Sequence, residues 1–581
     1  MPQPSLSAPS SSHLHPKSSF DPLIAAASRP PKATEIARGT IYGTSQLSRD
    51  QVRSLRIHAK PVGGSIQRHK IRELSFLDPK VRAEWDYQEH WLDDPEFYKA
   101  VPTGTATDLG FAKEFTDENI ERMEEECDLI RKLDAGEEPL GAVNLWKLPE
   151  LHKDRARPIR ETKAVNDTLP CDPEHAVRFI PKAGIPLLLL EGECALALDF
   201  SAYYDQFHYS KEVGRRFCFR HGNHVYALKS LAMGQRQAVN VAVALTNLLV
   251  DFERKSRRCE TYIDNIIFVG TREQVLADAR VFVERCNHIS AIINEDVTKL
   301  EDYIFTKGEW CGVALDFDAK TAAMTEKSVS RTISSWANRN IWTWRGWAAH
   351  IGLLFWSHGI IDVPMHSFFP LLSFMSRASA RLTEDPSLWD KQASIWPSAM
   401  EIMEEWTQLI VQNSPRRVRA MTDPEWLVCT DASRWGWGYV AVHSFTGEVR
   451  SHGARWSSYM EKMHGNQLGS STFAEPHGVV NSLCHLIAPG AGVQRVRVAT
   501  DNMATRWAFE KGWSPHAPQF NFCLARFKRI FPEMHIEMTY VKGEMNPADR
   551  PSRGASYTSE EMGAVADCLR QVMGSRQQQL E

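Results

Sequence analysis

Cys259-Glu260-Thr261-Tyr262-Ile263-Asp264-Asn265-Ile266-Ile267-Phe268-Val269-Gly270 sets one Asp-Asn step between an aromatic and an apolar run. Apolar β-branched residues flank the step, and Asp and Asn tolerate tight-turn dihedrals, so the stretch predicts a hairpin with Asp264 at its tip. A lone carboxylate on a turn is ordinarily just solvated. A second stretch, Ala195-Leu196-Ala197-Leu198-Asp199-Phe200, gives Asp264 another meaning, because there too an apolar strand ends in aspartate. Two aspartates brought together at strand ends make a site for hard divalent cations, which take oxygen ligands and bridge phosphates.

The 581 residues leave room for about three to four domains. With 43% hydrophobic and 24% charged residues, the chain has an ordinary globular composition. Its net charge of −4 excludes a surface coated uniformly for nucleic acid. Local basic stretches remain, at Lys153 to Lys163, Lys211 to Arg220, Arg254 to Arg258 and Arg416 to Arg419, and a phosphate-binding groove is to be sought there. Eighteen tryptophans suit both core packing and stacking on bases. Eleven cysteines without a CxxC pair indicate neither a zinc module nor a disulfide framework, and reduced thiols fit best. No apolar run reaches membrane-spanning length, so a soluble protein without a membrane partner is expected.

Composition shifts divide the chain. Residues 1–40, low-complexity Ser, Pro, Ala and His, read as a disordered tail. Residues 41–140 form an N-terminal extension of unreadable role, with a helix near Phe115 to Met123 capped by Thr116 or Asp117. Residues 141–325 hold the strands that end in carboxylates, and 326–415 are Trp-rich and helical by pattern. After Ser414-Pro415-Arg416-Arg417, alternating strands and helices occupy 416–560, followed by a C-terminal helix and polar tail over 561–581.

Aromatics follow the first aspartate, in Ser201-Ala202-Tyr203-Tyr204-Asp205-Gln206-Phe207. A Gly-centred turn, Leu231-Ala232-Met233-Gly234-Gln235-Arg236, opens an apolar helix from Val239 to Val250, and Gly234 lets backbone approach a ligand closely. Gly308-Glu309-Trp310-Cys311-Gly312-Val313-Ala314-Leu315 predicts another hairpin. In this order the segments resemble the palm of reverse transcriptases, and Arg157-Pro158-Ile159-Arg160 before Val165-Asn166 is similar to that family's fingers motif. The resemblance implies that Asp199 and Asp264 hold two magnesium ions, with the backbone carbonyl of Phe200 as a further ligand. It implies that Tyr204 lies under the sugar of an incoming nucleotide, that Gly234 and Gln235 lie along the templating pair, and that Arg157 contacts phosphates. It also implies that Tyr262 packs beneath the primer end. One departure stands out: where the family has a second aspartate, this chain has Asn265, which supplies an oxygen without charge.

A second constellation begins at Trp426-Leu427-Val428-Cys429-Thr430-Asp431, again an apolar strand ending in aspartate, with Gly436 to Val442 returning as its antiparallel neighbour. Glu475 follows at the start of a helix, Asp501 closes the strand from Val496, and Asp549 lies in a loop within Asn546-Pro547-Ala548-Asp549-Arg550-Pro551-Ser552-Arg553. Asp, Glu, Asp, Asp in this order resembles ribonuclease H, which implies that these four carboxylates hold two metals flanking a scissile phosphate.

Together the halves resemble a retroelement reverse transcriptase with a tethered ribonuclease H. The implied fold is a multidomain α+β chain: a right-hand polymerase of fingers, palm and thumb, then an α/β ribonuclease H-like domain. The implied cofactor is Mg²⁺, with Mn²⁺ as a substitute, two ions per active site. The implied partners are an RNA template, a DNA primer, the RNA-DNA hybrid, dNTPs and other retroelement proteins. No protease, zinc-knuckle, integrase-type or recombinase-type motif accompanies these segments, and the passage from palm through a Trp-rich connector to N-P-A-D looks most like the DIRS-like tyrosine-recombinase group, including trypanosomatid elements. Gypsy-type retrotransposons and plant pararetroviruses are the rivals. That subgroup implies nuclear rather than cytoplasmic residence. Asn265 favours a different class of reading, an inactive or host-retained polymerase-fold protein that binds nucleic acid without synthesis.

Overall fold

The computed structural model describes residues 48–58, 64–99, 109–150, 155–169, 174–420, 423–514 and 517–574. The expected N-terminal tail over 1–40 and the polar end at 575–581 lie outside the described residues. The protein is α+β and divides into two compact units.

The first unit takes in the chain to Asn340 together with Gly346–Ile361 and Ile410–Val418. Its central sheet has four antiparallel strands in the order Ile304–Phe305, Cys194–Asp199, Asn265–Gly270, Arg258–Tyr262. Ile266, Ile267, Phe268 and Val269 are all fully buried, so this strand reads as a continuous apolar run rather than an alternation. Helices Ala238–Leu249 and Arg272–His288 add to the core, with Leu245, Leu248, Phe282 and Val275 packed beside Leu196, Leu198 and Phe268.

Residues 64–99 and 109–132 are part of this unit's core rather than an appendage. Helix Pro79–Asp93 packs on helix Ala238–Leu249 and buries Trp85, Trp91 and Leu92, while strands Gly110–Phe111 and Ile130–Lys132 flank the hairpin Cys218–His221/His224–Leu228 in one sheet. The helix expected near Phe115 begins at Asp117 with Thr116 as its cap, whose hydroxyl accepts the Asn119 N–H. A separate sheet, Lys307–Trp310, Val313–Asp316, Thr321–Met324 and Arg416–Arg417, contains the second expected hairpin, turning at Cys311-Gly312.

The second unit comprises Ile341–Arg345, Asp362–Leu409 and the chain from Arg419. The stretch 326–415, expected as a helical domain of its own, is divided between the units. A five-stranded sheet runs Val449–Arg455, Gly436–His443, Trp426–Ala432, Arg495–Thr500, His535–Tyr540, with the first three antiparallel and the last two added in parallel. Helix Ser471–Leu486 packs Val479 and Leu483 against Trp426 and Val428. Helix Ser559–Gly574 packs Ala566, Leu569 and Met573 with Leu427 and Cys429 of the same strand. That two-sided cover explains why this strand is apolar at successive positions. It also places the C-terminal helix in the core of this unit.

Among the described residues no helix is long and apolar enough to cross a membrane, and the described cysteines are free thiols.

Candidate functional site

In the first unit the sheet register sets Asp199 opposite Asn265, and the Phe200 N–H donates to the Asp264 carbonyl at 3.1 Å, so the two strand ends are locked together. Asp199 and Asp264 thereby become neighbours. Burial pushes the Asp264 carboxyl above the usual carboxylate range, opposed by its own backbone N–H, the Asn265 amide and the adjoining Asp199 carboxyl. The hairpin turn is Ile263-Asp264, and Ile263 sits at φ +60°, a left-handed conformation that is costly for a β-branched residue. What supports it is buried Thr246, whose hydroxyl donates to the Ile263 carbonyl at 2.8 Å and lies 3.0 Å from the Tyr203 hydroxyl. Ala202 and Cys311 also have positive φ, 45° and 47°. The fields of Asp264 and Asp199 both reach Cys311, whose thiol is pushed up to about 12, chiefly by burial.

Phe200 has its ring in the core, stacked on Tyr203 with centroids 4.1 Å apart, and only its backbone faces the aspartates. Tyr204 is half-buried near Asp264; burial first, then that charge, raises its hydroxyl to about 12. Gly234 has φ +106°, and the Asn166 side chain spans its turn, donating to the Gly234 carbonyl and accepting the Arg236 N–H, both at 2.8 Å. Gln235 differs from expectation: it is 2% exposed, and both ends of its amide are taken, by the Tyr98 hydroxyl at 2.7 Å and by Tyr209. Its side chain braces the turn from below. Arg157 is exposed on strand Arg155–Glu161 opposite Leu148. Three residues on, buried Arg160 pairs with Asp205 and donates to the Ser230 hydroxyl at 3.1 Å and the Leu231 carbonyl at 3.0 Å. Arg160 thus ties strand Arg155–Glu161 to the turns that follow Asp199 and precede Gly234.

Sequence reasoning missed the segment Ile292 to Glu295. The Asn294 N–H donates to the Asp199 carbonyl at 2.8 Å, its side-chain amide to Asp199 Oδ2 at 2.9 Å, and Glu295 Oε2 accepts the Asp199 N–H at 3.0 Å. Nothing local in Ile292-Ile293-Asn294-Glu295 marks it, since its partner lies 95 residues away.

In the second unit, Asp431, Glu475 and Asp501 each offer a carboxylate oxygen, all within 4.8 Å of one another. Asp431 is 6% and Glu475 3% exposed. Burial, then the charges of Asp431 and Asp501, push Glu475 up to about 9. Burial, together with Asp501 and Asp549, pushes Asp431 up to about 6, against the Ser552 hydroxyl and Arg553. Glu475 is fixed by the Ala432 N–H at 3.1 Å and the Thr500 hydroxyl at 3.4 Å, and Ser552 donates to Asp431 Oδ2.

Asp549 stands outside that triad but acts on it: its charge raises both Asp431 and Asp501, and its own Oδ1 accepts from Arg553 at 2.9 and 2.7 Å. It lies on a short helix, Asp549–Ser552, not on a loop as expected; the turn ahead of that helix is anchored by the Asn546 side chain, which accepts the Ala548 N–H at 3.1 Å and donates to the Thr430 carbonyl at 3.0 Å. The helix rests on two glycines paired across strands, Gly438 and Gly453. A Cβ at Gly438 would meet the Ser552 nitrogen at 2.5 Å, and one at Gly453 the Pro551 oxygen at 1.9 Å. Ser552 and Arg553 belong to the N-P-A-D stretch read from sequence, but no role was assigned to them there.

Oxygen-only donors, buried and crowded enough to raise one another's proton affinity, fit a hard divalent cation in this unit. Asp199 and Asp264 are oxygen donors of the same kind, and as two carboxylates they bring less negative charge to such an ion.

No protein-family model and no curated protein matches the chain. Among solved structures it is similar to a foamy viral protease-reverse transcriptase in complex with dsDNA, at 13% identity and TM-score 0.43, covering 84% of this chain and 99% of that one. The same foamy viral protein in complex with an RNA/DNA hybrid aligns at 13% identity and TM-score 0.42, covering 84% of this chain and 64% of that one.

Proposed function

We propose that the chain is an RNA-directed DNA polymerase of a retroelement that also cleaves the RNA strand of RNA-DNA hybrids. The observation that carries the reading is the occurrence of two separate acid centres in one chain: Asp199 with Asp264 where two strands end, and Asp431 and Asp501 at strand ends with Glu475 from a helix. Divalent cations, Mg²⁺ or Mn²⁺ and two per centre, supply activation of the attacking oxygen and stabilisation of the leaving one. Asp199, Asp264 and the Phe200 carbonyl would hold them in the first centre; Asp431, Glu475, Asp501 and Asp549 would hold them in the second.

The remaining work is positioning and charge. Tyr204, close to Asp264, would support a nucleotide sugar and disfavour a 2′-hydroxyl. Exposed Arg157 would contact triphosphate oxygens, while the Gly234 turn, braced by Gln235 and Asn166, would present backbone toward a templating pair. In the second centre, Ser552 and the Ala432 N–H hold Asp431 and Glu475 in place for the RNA strand.

Within retroelements we assign the chain to the DIRS-like group, acting in the nucleus beside other element-encoded proteins, on the order of its motifs and its N-P-A-D ending. Incorporation of dNTPs on a primed RNA template, with Asp264→Ala as control, tests the activity. Extension that needs Mg²⁺ or Mn²⁺ and is lost in the variant is expected. No extension by the wild-type protein with either metal would leave the rival reading, nucleic-acid binding without synthesis.

A further inference from the structure

Each of the two polymerase-like aspartates receives a hydrogen bond from the side-chain amide of an asparagine. Asn294 Nδ2 donates to Asp199 Oδ2 at 2.9 Å, and Asn265 Nδ2 donates to Asp264 Oδ1 at 3.0 Å. The two donors come from different parts of the chain. Asn265 opens the strand that follows the Asp264 turn, whereas Asn294 lies beyond helix Arg272–His288.

The segment that carries Asn294 is fixed to the Asp199 strand end along its length. Phe200 bridges Ile293, the Ser201 N–H donates to the Ile292 carbonyl at 3.0 Å, and Asn294 and Glu295 grip the Asp199 backbone on both sides. Gln206, fully buried, binds both the N–H and the carbonyl of Ile292 at 2.8 Å. Asn294 Nδ2 also lies 3.3 Å from the Phe200 carbonyl. A scaffold this closely hydrogen-bonded holds one amide donor against one carboxylate oxygen.

We propose that Asn294 and Asn265 are paired positioning residues that orient the Asp199 and Asp264 carboxylates for divalent-cation binding. The inference rests on reading those aspartates as the polymerase acids. Each amide donates to one carboxylate oxygen and fixes the plane of the group, so that a cation meets a carboxylate already oriented. Asn265 is then a donor chosen for its N–H, not an aspartate that has lost its charge. Replacing it by aspartate sets two acceptors against each other where a hydrogen bond now spans 3.0 Å.

The test compares Asn294→Ala and Asn294→Asp in a chain whose second centre is disabled by Asp431→Asn and Glu475→Gln. Three quantities are read: Mn²⁺ binding by paramagnetic resonance, kcat and KM for dNTP in primer extension, and the thermal midpoint. Asn294→Ala is expected to weaken Mn²⁺ binding and lower kcat by about tenfold or more, with KM for dNTP and the thermal midpoint close to the parent. Asn294→Asp keeps the shape and an oxygen but loses the donor, and it is expected not to restore kcat. Wild-type kcat and Mn²⁺ binding in Asn294→Ala would overturn the proposal, as would full kcat in Asn294→Asp, which would make the oxygen the working atom. Loss of folding in both variants would show a structural residue and also overturn it. If the parent binds Mn²⁺ but does not extend, and Asn294→Ala weakens that binding, the function reading fails and the positioning role stands.

Discussion

The two acid centres solve the same physical problem in opposite ways. Asp199 and Asp264 are two carboxylates, each held by an asparagine amide, in a setting of left-handed non-glycine residues: Ala202, Ile263 and Cys311. The other centre concentrates four acids, and it gains close approach from glycines, Gly438 and Gly453, that let the Asp549 helix lie directly on the sheet. Where backbone strain is stored, surrounding contacts such as Thr246 on the Ile263 carbonyl must hold it. Where charge is stored, the cost appears as raised proton affinity, largest at Glu475. The second centre should therefore depend more steeply on cations and pH, and the first on intact hydrogen bonds.

The sharpest way to break this comparison is to remove one acid from each centre. Asp264→Ala should lower primer extension by about a thousandfold or more, the loss of several kcal/mol of charge stabilisation, and leave hybrid-RNA cleavage intact. Asp431→Asn or Glu475→Gln should abolish cleavage to a similar extent while extension persists. If both of these variants still cut RNA, the second centre is misplaced.

A smaller effect isolates the stored charge. Glu475 and Asp431 bind protons in the folded protein up to about pH 9 and 6, whereas the unfolded chain releases them in the ordinary carboxylate range. Folded protein therefore holds more protons through that window, and metal-free stability falls as pH rises from about 4 towards 9. Glu475→Gln should raise the metal-free unfolding midpoint at pH 8 and change it little at pH 4. Added Mg²⁺ should stabilise the wild-type protein at pH 8 more than the variant. A variant midpoint below wild type at pH 8 without metal would show that Glu475 is not held at a cost.

Gly438→Ala probes the close approach. Its Cβ would lie 2.5 Å from the Ser552 nitrogen, so the Asp549 helix must lift. Overpacking of this kind costs about 1–3 kcal/mol, and cleavage should fall with it while extension does not. The mildest change is Asn265→Asp, expected to reduce extension by about tenfold at most; a rate above wild type would show that this position works better charged.

Strand-borne features were legible in the sequence. Apolar runs ending in Asp199, Asp431 and Asp501, the Asp264 turn and the Cys311-Gly312 hairpin all follow from local pattern, and the structure has strands at each. What escaped is set by distant contacts. Tyr98, in a stretch that had no readable role, holds Gln235, and Gln235 consequently turns inward instead of outward. Arg157 and Arg160 share one strand, and only the depth of the second, beside Asp205, distinguishes them. Asn294 reaches Asp199 across 95 residues, a pairing no local periodicity encodes. The helical stretch after Glu326 was legible as helix, but its division between two units was not, since helical periodicity does not say which unit a helix joins.

The central claim, two independent acid centres in one chain, is tested most directly with a recessed DNA primer on an RNA template, each strand carrying its own label. In one reaction with Mg²⁺, the wild-type protein should lengthen the primer and shorten the RNA, Asp264→Ala should only shorten the RNA, and Glu475→Gln should only lengthen the primer. Loss of both activities together in either variant, or of neither in both, would contradict the account.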